Sequence, residues 1–269
     1  MMVEIQGLPG LSLQSLPAYI FLIMLASLRI GSFLLASPFF GSRMVPLPIR
    51  IIFSFCMGLW VLAHINFPSL DLLTGAQLFP IIIQEIFIGL ACGVVLSICF
   101  SSVIMAGEKI AATCGLAFAL QVDPSSGTQS PVISQFLSLF LLLILFSTNG
   151  HLLVFETLYK SYEILPFGSF TDLSLIVEKS LSSSNIMFKM AIIISLPLIG
   201  ILIFINIGIG FITKSAPQLN LFSFGFPLTI LGTFFALYFS VDAFQFVFTD
   251  LLNQSITVVK SILEGLADG

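Results

Sequence analysis

Six long apolar runs divide this chain, at about 16–40, 50–66, 79–104, 132–154, 186–212 and 226–250. Each is close to the ~20 residues that cross a bilayer as a helix. The longest interval between them is about 31 residues, too short for a soluble domain. The pattern therefore predicts an all-α, polytopic membrane protein whose long helices fold as hairpins.

Polar residues inside the runs are the first departures from that pattern. Arg29 lies about 12 residues, or ~18 Å, from Pro17 in the first run. An arginine at that depth costs at least ~2.5 kcal/mol unless it is paired or faces water. Glu85, next to Gln84, lies about 6 residues, or ~9 Å, into the third run. Asp242 lies about 8 residues, or ~12 Å, from the outer end of the sixth. These three are the candidate buried polar residues. Arg29 could pair with either carboxylate, and spacing alone does not choose. Gly89 and Gly93 stand four apart, a GxxxG pattern that admits a second helix at close range.

The loop after the first run, GSRMVPLPIR, carries Arg43 and Arg50 and reads as a stiff turn around Pro46 and Pro48. No Lys or Arg precedes the first run, so the positive-inside rule puts this loop in the cytoplasm and the N-terminus outside. No basic region precedes the first run either, and Glu4 stands there instead, so a cleaved signal peptide is not predicted.

The stretch Met105–Pro131 fits neither lipid nor solvent. It opens on Gly107-Glu108-Lys109, continues through small residues to Gly115, Leu116, Phe118 and Leu120, and ends in Asp123-Pro124-Ser125-Ser126-Gly127, a strong turn signal. Backbone of that character at membrane depth must be buried in protein or line a cavity. The reading is a plug in a passage, with Ile110, Gly115, Leu116, Phe118, Leu120 and Asp123 as the plug residues.

The fourth run is interrupted by Asn149-Gly150-His151. Residues 155–185 read as two short amphipathic helices joined by Leu165-Pro166-Phe167-Gly168, with Thr171 and Asp172 at the second N-terminus. Runs five and six form a predicted hairpin. Its turn, Thr213 to Phe222, contains Pro217, Gln218, Asn220 and Phe222 and faces the cytoplasm on this topology. Beyond it, Ile256, Val259, Ile262 and Leu263 recur at helical spacing.

Composition agrees with the membrane class: 58% hydrophobic and 8% charged residues, against about 25% charged in soluble domains. A net charge of -4 argues against a nucleic-acid partner. The four cysteines lack metal-ligand spacing and read as buried free thiols. No phosphate loop, zinc motif or nucleophile elbow occurs, so neither enzymatic chemistry nor a cofactor is implied. A small-solute secondary transporter is the alternative class. It is disfavoured because no matched pair of interrupted segments divides the chain into two halves.

The motifs, taken in order, resemble the FliR family of flagellar export proteins. Arg29-x-Gly31, Ser37-Pro38-Phe39-Phe40-Gly41, Val45-Pro46 and Arg50 look like its opening, and Gln84-Glu85 with Gly89 like its next motif. Ala106-Gly107-Glu108-Lys109-Ile110, Gly115-Leu116-Ala117-Phe118 and Val122-Asp123-Pro124 are similar to its central loop. Asn149-Gly150-His151, Leu165-Pro166-Phe167-Gly168, Ala216-Pro217-Gln218-Leu219-Asn220-Leu221-Phe222 and Gly225-Phe226-Pro227 complete the series. Two positions depart from it: Leu152 replaces a common second histidine, and Lys214 stands near a common arginine. Injectisome homologues of the SctT/SpaR type are close relatives, but the Asp-Pro, Asn-Gly-His and Gly-Phe-Pro signatures favour the flagellar branch.

The resemblance implies a core subunit of the type III export gate in the bacterial inner membrane, at the flagellar basal body. It implies a FliP-like part over 1–185 and a FliQ-like hairpin and tail over 186–269. It implies FliP-like, FliQ-like and FlhB-like partner subunits, unfolded polypeptides as cargo, and a plug at about 106–122. Helices that read as spans would then be covered partly by partners.

Overall fold

The computed structural model describes residues 16–41, 45–65, 78–116, 131–168, 173–216 and 224–267. Among them are nine helices and no strand: α1 Leu16–Ala36, α2 Leu47–His64, α3 Leu78–Thr113, α4 Val132–Ser147, α5 Gly150–Ile164, α6 Leu173–Ser182, α7 Ser184–Ser215, α8 Phe226–Phe239 and α9 Val241–Ala267. Four are long and apolar enough to cross a membrane, or six spans result if each of two broken pairs counts once. The polytopic helical class is as the pattern predicts.

The helix ends differ from the runs for local reasons. α2 begins at Leu47, with Pro48 inside its first turn. A proline is tolerated there because the first N–H groups of a helix have no intrahelical partner to lose. α3 continues past the apolar run through Gly107-Glu108-Lys109, reaching 36 residues and roughly 54 Å. Glu108 and Lys109 are exposed on it. The fourth run breaks after Thr148, where Asn149 takes a left-handed conformation (φ 55°), and α5 then carries on to Ile164. The sixth run breaks at Ser240, and α8 and α9 are bent by 65° there. α6 follows the Leu165–Gly168 turn, as expected; Thr171 and Asp172 lie outside the described residues.

Two compact units form. The first comprises residues 1–97, 152–183 and 255–269, the second 98–151 and 184–254. In the first unit α1 and α2 pack together. Gly58 lets α2 meet the backbone of Ser27: a Cβ there would lie 3.0 Å from the Ser27 nitrogen. The GxxxG pair does what its spacing predicts. A Cβ on Gly89 would strike the carbonyl of Arg29 and the hydroxyl of Ser32, and one on Gly93 would lie 2.9 Å from the Phe33 carbonyl oxygen. Ser97 closes the series by donating to the Ala36 carbonyl at 2.6 Å. The contacts advance in the same direction on both helices, so α1 and α3 run parallel. Phe40, Phe53 and Phe155 cluster, Phe155 lying 5.3 Å from each of the other two rings. Ile256, Val259, Ile262 and Leu263 of α9 are buried.

In the second unit α7 and α8 pack as the predicted hairpin. Its turn, with Pro217, Gln218, Asn220 and Phe222, lies outside the described residues. Three of the cysteines are buried as expected, but Cys56 is exposed, because α2 turns most of its surface outward.

Removing the small-residue contacts has a predictable cost. Gly89→Leu forces a side chain into the α1 backbone, and overpacking of this kind costs about 1–3 kcal/mol or more. A Cβ added at Gly200 would meet nothing within 4 Å, so Gly200→Ala is neutral or gains roughly 0.5–1 kcal/mol. Thermal unfolding of the two variants in detergent checks the contrast; equal midpoints would contradict the packing.

Candidate functional site

The largest fully buried side chain of the first unit is Arg29. Arg29 is 0% exposed and Glu85 1%. The two form a bidentate pair: Nε donates to Glu85 Oε2 at 2.8 Å and Nη2 to Oε1 at 2.9 Å. The planar fork of arginine matches a carboxylate in this way, which adds geometry as well as energy. The remaining donors go elsewhere. Nη1 donates to the Ser161 carbonyl at 2.7 Å and its hydroxyl at 3.0 Å, and Nη2 to the Leu165 carbonyl at 3.0 Å. An arginine has five N–H groups, and five acceptors surround this one. Tyr162 lies over the guanidinium, its ring centre 4.2 Å from Cζ, and its hydroxyl donates to the Ala26 carbonyl at 2.8 Å.

Ser161 and Leu165 stand at the C-terminal end of α5, where the helix dipole is negative; the Ser161 carbonyl also accepts from the Leu165 N–H at 2.9 Å. Arg29 thus caps α5 from another helix while it neutralises Glu85 on a third. The turn that follows is fixed beside it: Phe167 packs with Leu25 and Ile81, and Gly168 adopts φ 87°.

Asp242 is not part of a buried set. It is exposed, because the helix break at Ser240 makes it a first-turn residue of α9 and not a mid-helix one. A carboxylate is favoured there by the helix dipole.

The described part of the central stretch is helix, then a turn. Ile110 lies within α3 and is fully buried among the chain's own core residues. α3 ends at Thr113, and Gly115 follows with φ 86°. Leu116 is half-buried. Phe118, Leu120 and Asp123 lie outside the described residues. The end of α3 meets the α7–α8 hairpin: Asn206 Nδ2 donates to the Thr113 carbonyl at 3.3 Å, and Thr229 Oγ1 lies 3.0 Å from the Cys114 carbonyl oxygen. His151 is half-buried against the Phe146 ring. No group of three or more potential metal ligands occurs among the described residues.

Sequence reasoning proposed Arg29 and Glu85 but missed Ser161, Tyr162 and Leu165, which lie 132 to 136 positions away from their α1 partners. It also missed Asn206 and Thr229. A usable signal existed for one of them: Tyr162 is one of only four tyrosines, and a buried tyrosine needs a partner for its hydroxyl.

Breaking the pair on one side strands a buried charge. Glu85→Leu alone costs about 3–5 kcal/mol, whereas Arg29→Met with Glu85→Leu costs clearly less than the two single changes summed. A double-mutant cycle on detergent unfolding measures this; strict additivity would show that the two side chains do not interact.

Comparison with known proteins places the chain in a family. A profile for the family described as Bacterial export proteins, family 1, matches residues 20–255. The chain is 32% identical over 212 residues to the flagellar biosynthetic protein FliR of Aquifex aeolicus (strain VF5), covering 79% of this chain and 82% of that one. It is 30% identical over 247 residues to the flagellar biosynthetic protein FliR of Bacillus subtilis (strain 168), covering 89% and 93%. With the protein of the same name from Escherichia coli (strain K12) it shares 29% over 203 residues, covering 76% and 77%. The family profile spans Arg29, Glu85, Ser161 and the end of α3 alike, and the chain belongs to the FliR family of bacterial export proteins.

Proposed function

We propose that this chain is a core subunit of the flagellar type III export gate, a non-enzymatic membrane subunit that helps form the channel for unfolded flagellar subunits and plugs it at rest. The observation that carries the reading is its likeness, over most of its length, to proteins named flagellar biosynthetic protein FliR. Those names favour the flagellar system over the injectisome. The subunit belongs in the bacterial inner membrane, at the flagellar basal body, with FliP-like and FliQ-like subunits around it and an FlhB-like subunit nearby. Residues 1–185 form the FliP-like part and 186–269 the FliQ-like hairpin and tail.

Two structural features support an assembled role. α3 has 61% of its most apolar stretch buried within the chain, but α2 has only 17% and the stretch containing α7 28%. Ile49, Ile52, Phe55 and Trp60 on α2 and Phe188, Leu196, Phe204 and Phe211 on α7 are exposed. Apolar faces of that extent are covered by lipid or by other subunits. The second feature is the sealed Arg29–Glu85 pair, which gives the charged residues a structural task and leaves export to gating.

In this reading the plug proper starts at Leu116, because Ile110 and Ala111 are fully buried core residues of α3. Leu116, Phe118 and Leu120 close an apolar constriction without strong bonds, so an arriving chain can displace them. Replacing 116–122 by an equal length of Gly and Ser makes membranes leak ions while the gate still assembles. Unchanged conductance in a replacement that assembles sinks the plug. A cysteine at Gln218 in a cysteine-free background is labelled by an impermeant maleimide from the cytoplasmic side; labelling only from outside refutes the topology.

A further inference from the structure

The chain does not leave α3 freely. At a helix C-terminus the last carbonyls have no partner of their own. Here two of them meet side chains about 90 or more positions away: Asn206 on the Thr113 carbonyl and Thr229 on the Cys114 carbonyl. Thr229 is buried, at 3% exposure. A helical threonine ordinarily bonds back to its own preceding turn, as Thr233 does with the Thr229 carbonyl at 2.7 Å. Thr229 Oγ1 has that acceptor too, the Phe226 carbonyl at 2.9 Å. Its one proton is therefore divided between its own helix and the end of α3.

A third contact stands next to these. Gly115 has φ 86°, and the Phe226 ring occupies the space of a missing Cβ, which would lie 2.7 Å from it. Glycine is required there twice, by backbone conformation and by the ring. Upstream, Gly107 is open enough for the backbone of Ser134 to sit where a side chain would be, so the first turn of α4 rests on the same stretch of α3. The chain that leaves α3 after Gly115 thus returns to an element seated on α3.

We infer that Asn206, Phe226 and Thr229 are positioning residues for the central segment: they hold its root at Thr113–Gly115. The inference rests on the plug reading given above. It adds that the α7–α8 hairpin is the holder, so any displacement of that hairpin is passed to the root of the plug.

Cys114 is a native reporter, being 1% exposed at the centre of these contacts. The test uses the full chain in its native membrane assembly with Cys56→Ser, which removes the exposed thiol. Maleimide labelling of Cys114, located by peptide mass spectrometry, is compared among Thr229→Val, Asn206→Leu, their combination and Thr229→Ser. Loss of the buried Thr229 bond raises labelling about five-fold, loss of the exposed Asn206 bond raises it less, the combination raises it more, and Thr229→Ser restores protection. Ion leakage rises in the same order. Unchanged Cys114 labelling in the combined variant overturns the inference, as does a tight membrane in that variant where the Gly–Ser replacement of 116–122 leaks. A tight membrane in the Gly–Ser replacement overturns the plug reading itself, because Cys114 labelling reports the holding contacts without any current.

Discussion

A guanidinium in an apolar interior must have every donor satisfied, and the first unit is arranged to meet that condition. Arg29 draws on Glu85 of α3, the end of α5 and the turn after it. The close approach of α1 and α3 is what makes the bidentate geometry possible, and that approach depends on Gly89 and Gly93. The pair is weak evidence for stability as such, since a hydrophobic pair of the same volume can do as well. Its effect is on register. A slip of α1 against α3 by one turn would strand two charges and a helix end together.

The same requirement recurs at the end of α3, with weaker groups. There the carbonyls of Thr113 and Cys114 are reached by an amide and a hydroxyl instead of a cation. Neutral hydrogen bonds of this kind are worth roughly 1 kcal/mol each, well below the cost of breaking a buried ion pair. The contrast suits the two regions. One fixes the framework of α1, α3 and α5; the other holds the root of the central segment, which yields during export on the proposed reading.

Much of the fold was legible because membrane helices announce themselves by length and apolarity, and because the GxxxG spacing has a direct steric meaning. The breaks were less so. Asn149 could be read as an interruption, yet Ser240 has no Gly or Pro close to it, and its break converts Asp242 from a buried candidate into an exposed first-turn residue. Ile110 read as a plug residue of a stretch opening at Met105, but Glu108 and Lys109 sit on the exposed side of a continuing helix, which a hydropathy window cannot resolve. Arg29 and Glu85 were recognisable singly. Their pairing, and the roles of Ser161, Tyr162 and Thr229, depend on contacts between distant positions that no local pattern encodes.

Exposed apolar faces and a held central segment make sense together if the chain works inside an export gate, with other subunits against it. Mild-detergent purification of the tagged protein from its own host, with mass spectrometry of the co-eluting chains, tests this without intermediate steps. FliP-like and FliQ-like subunits in stable association with it are the expected result. A stable monomer or homodimer, recovered without them, would contradict the export-gate reading and bring the transporter reading forward.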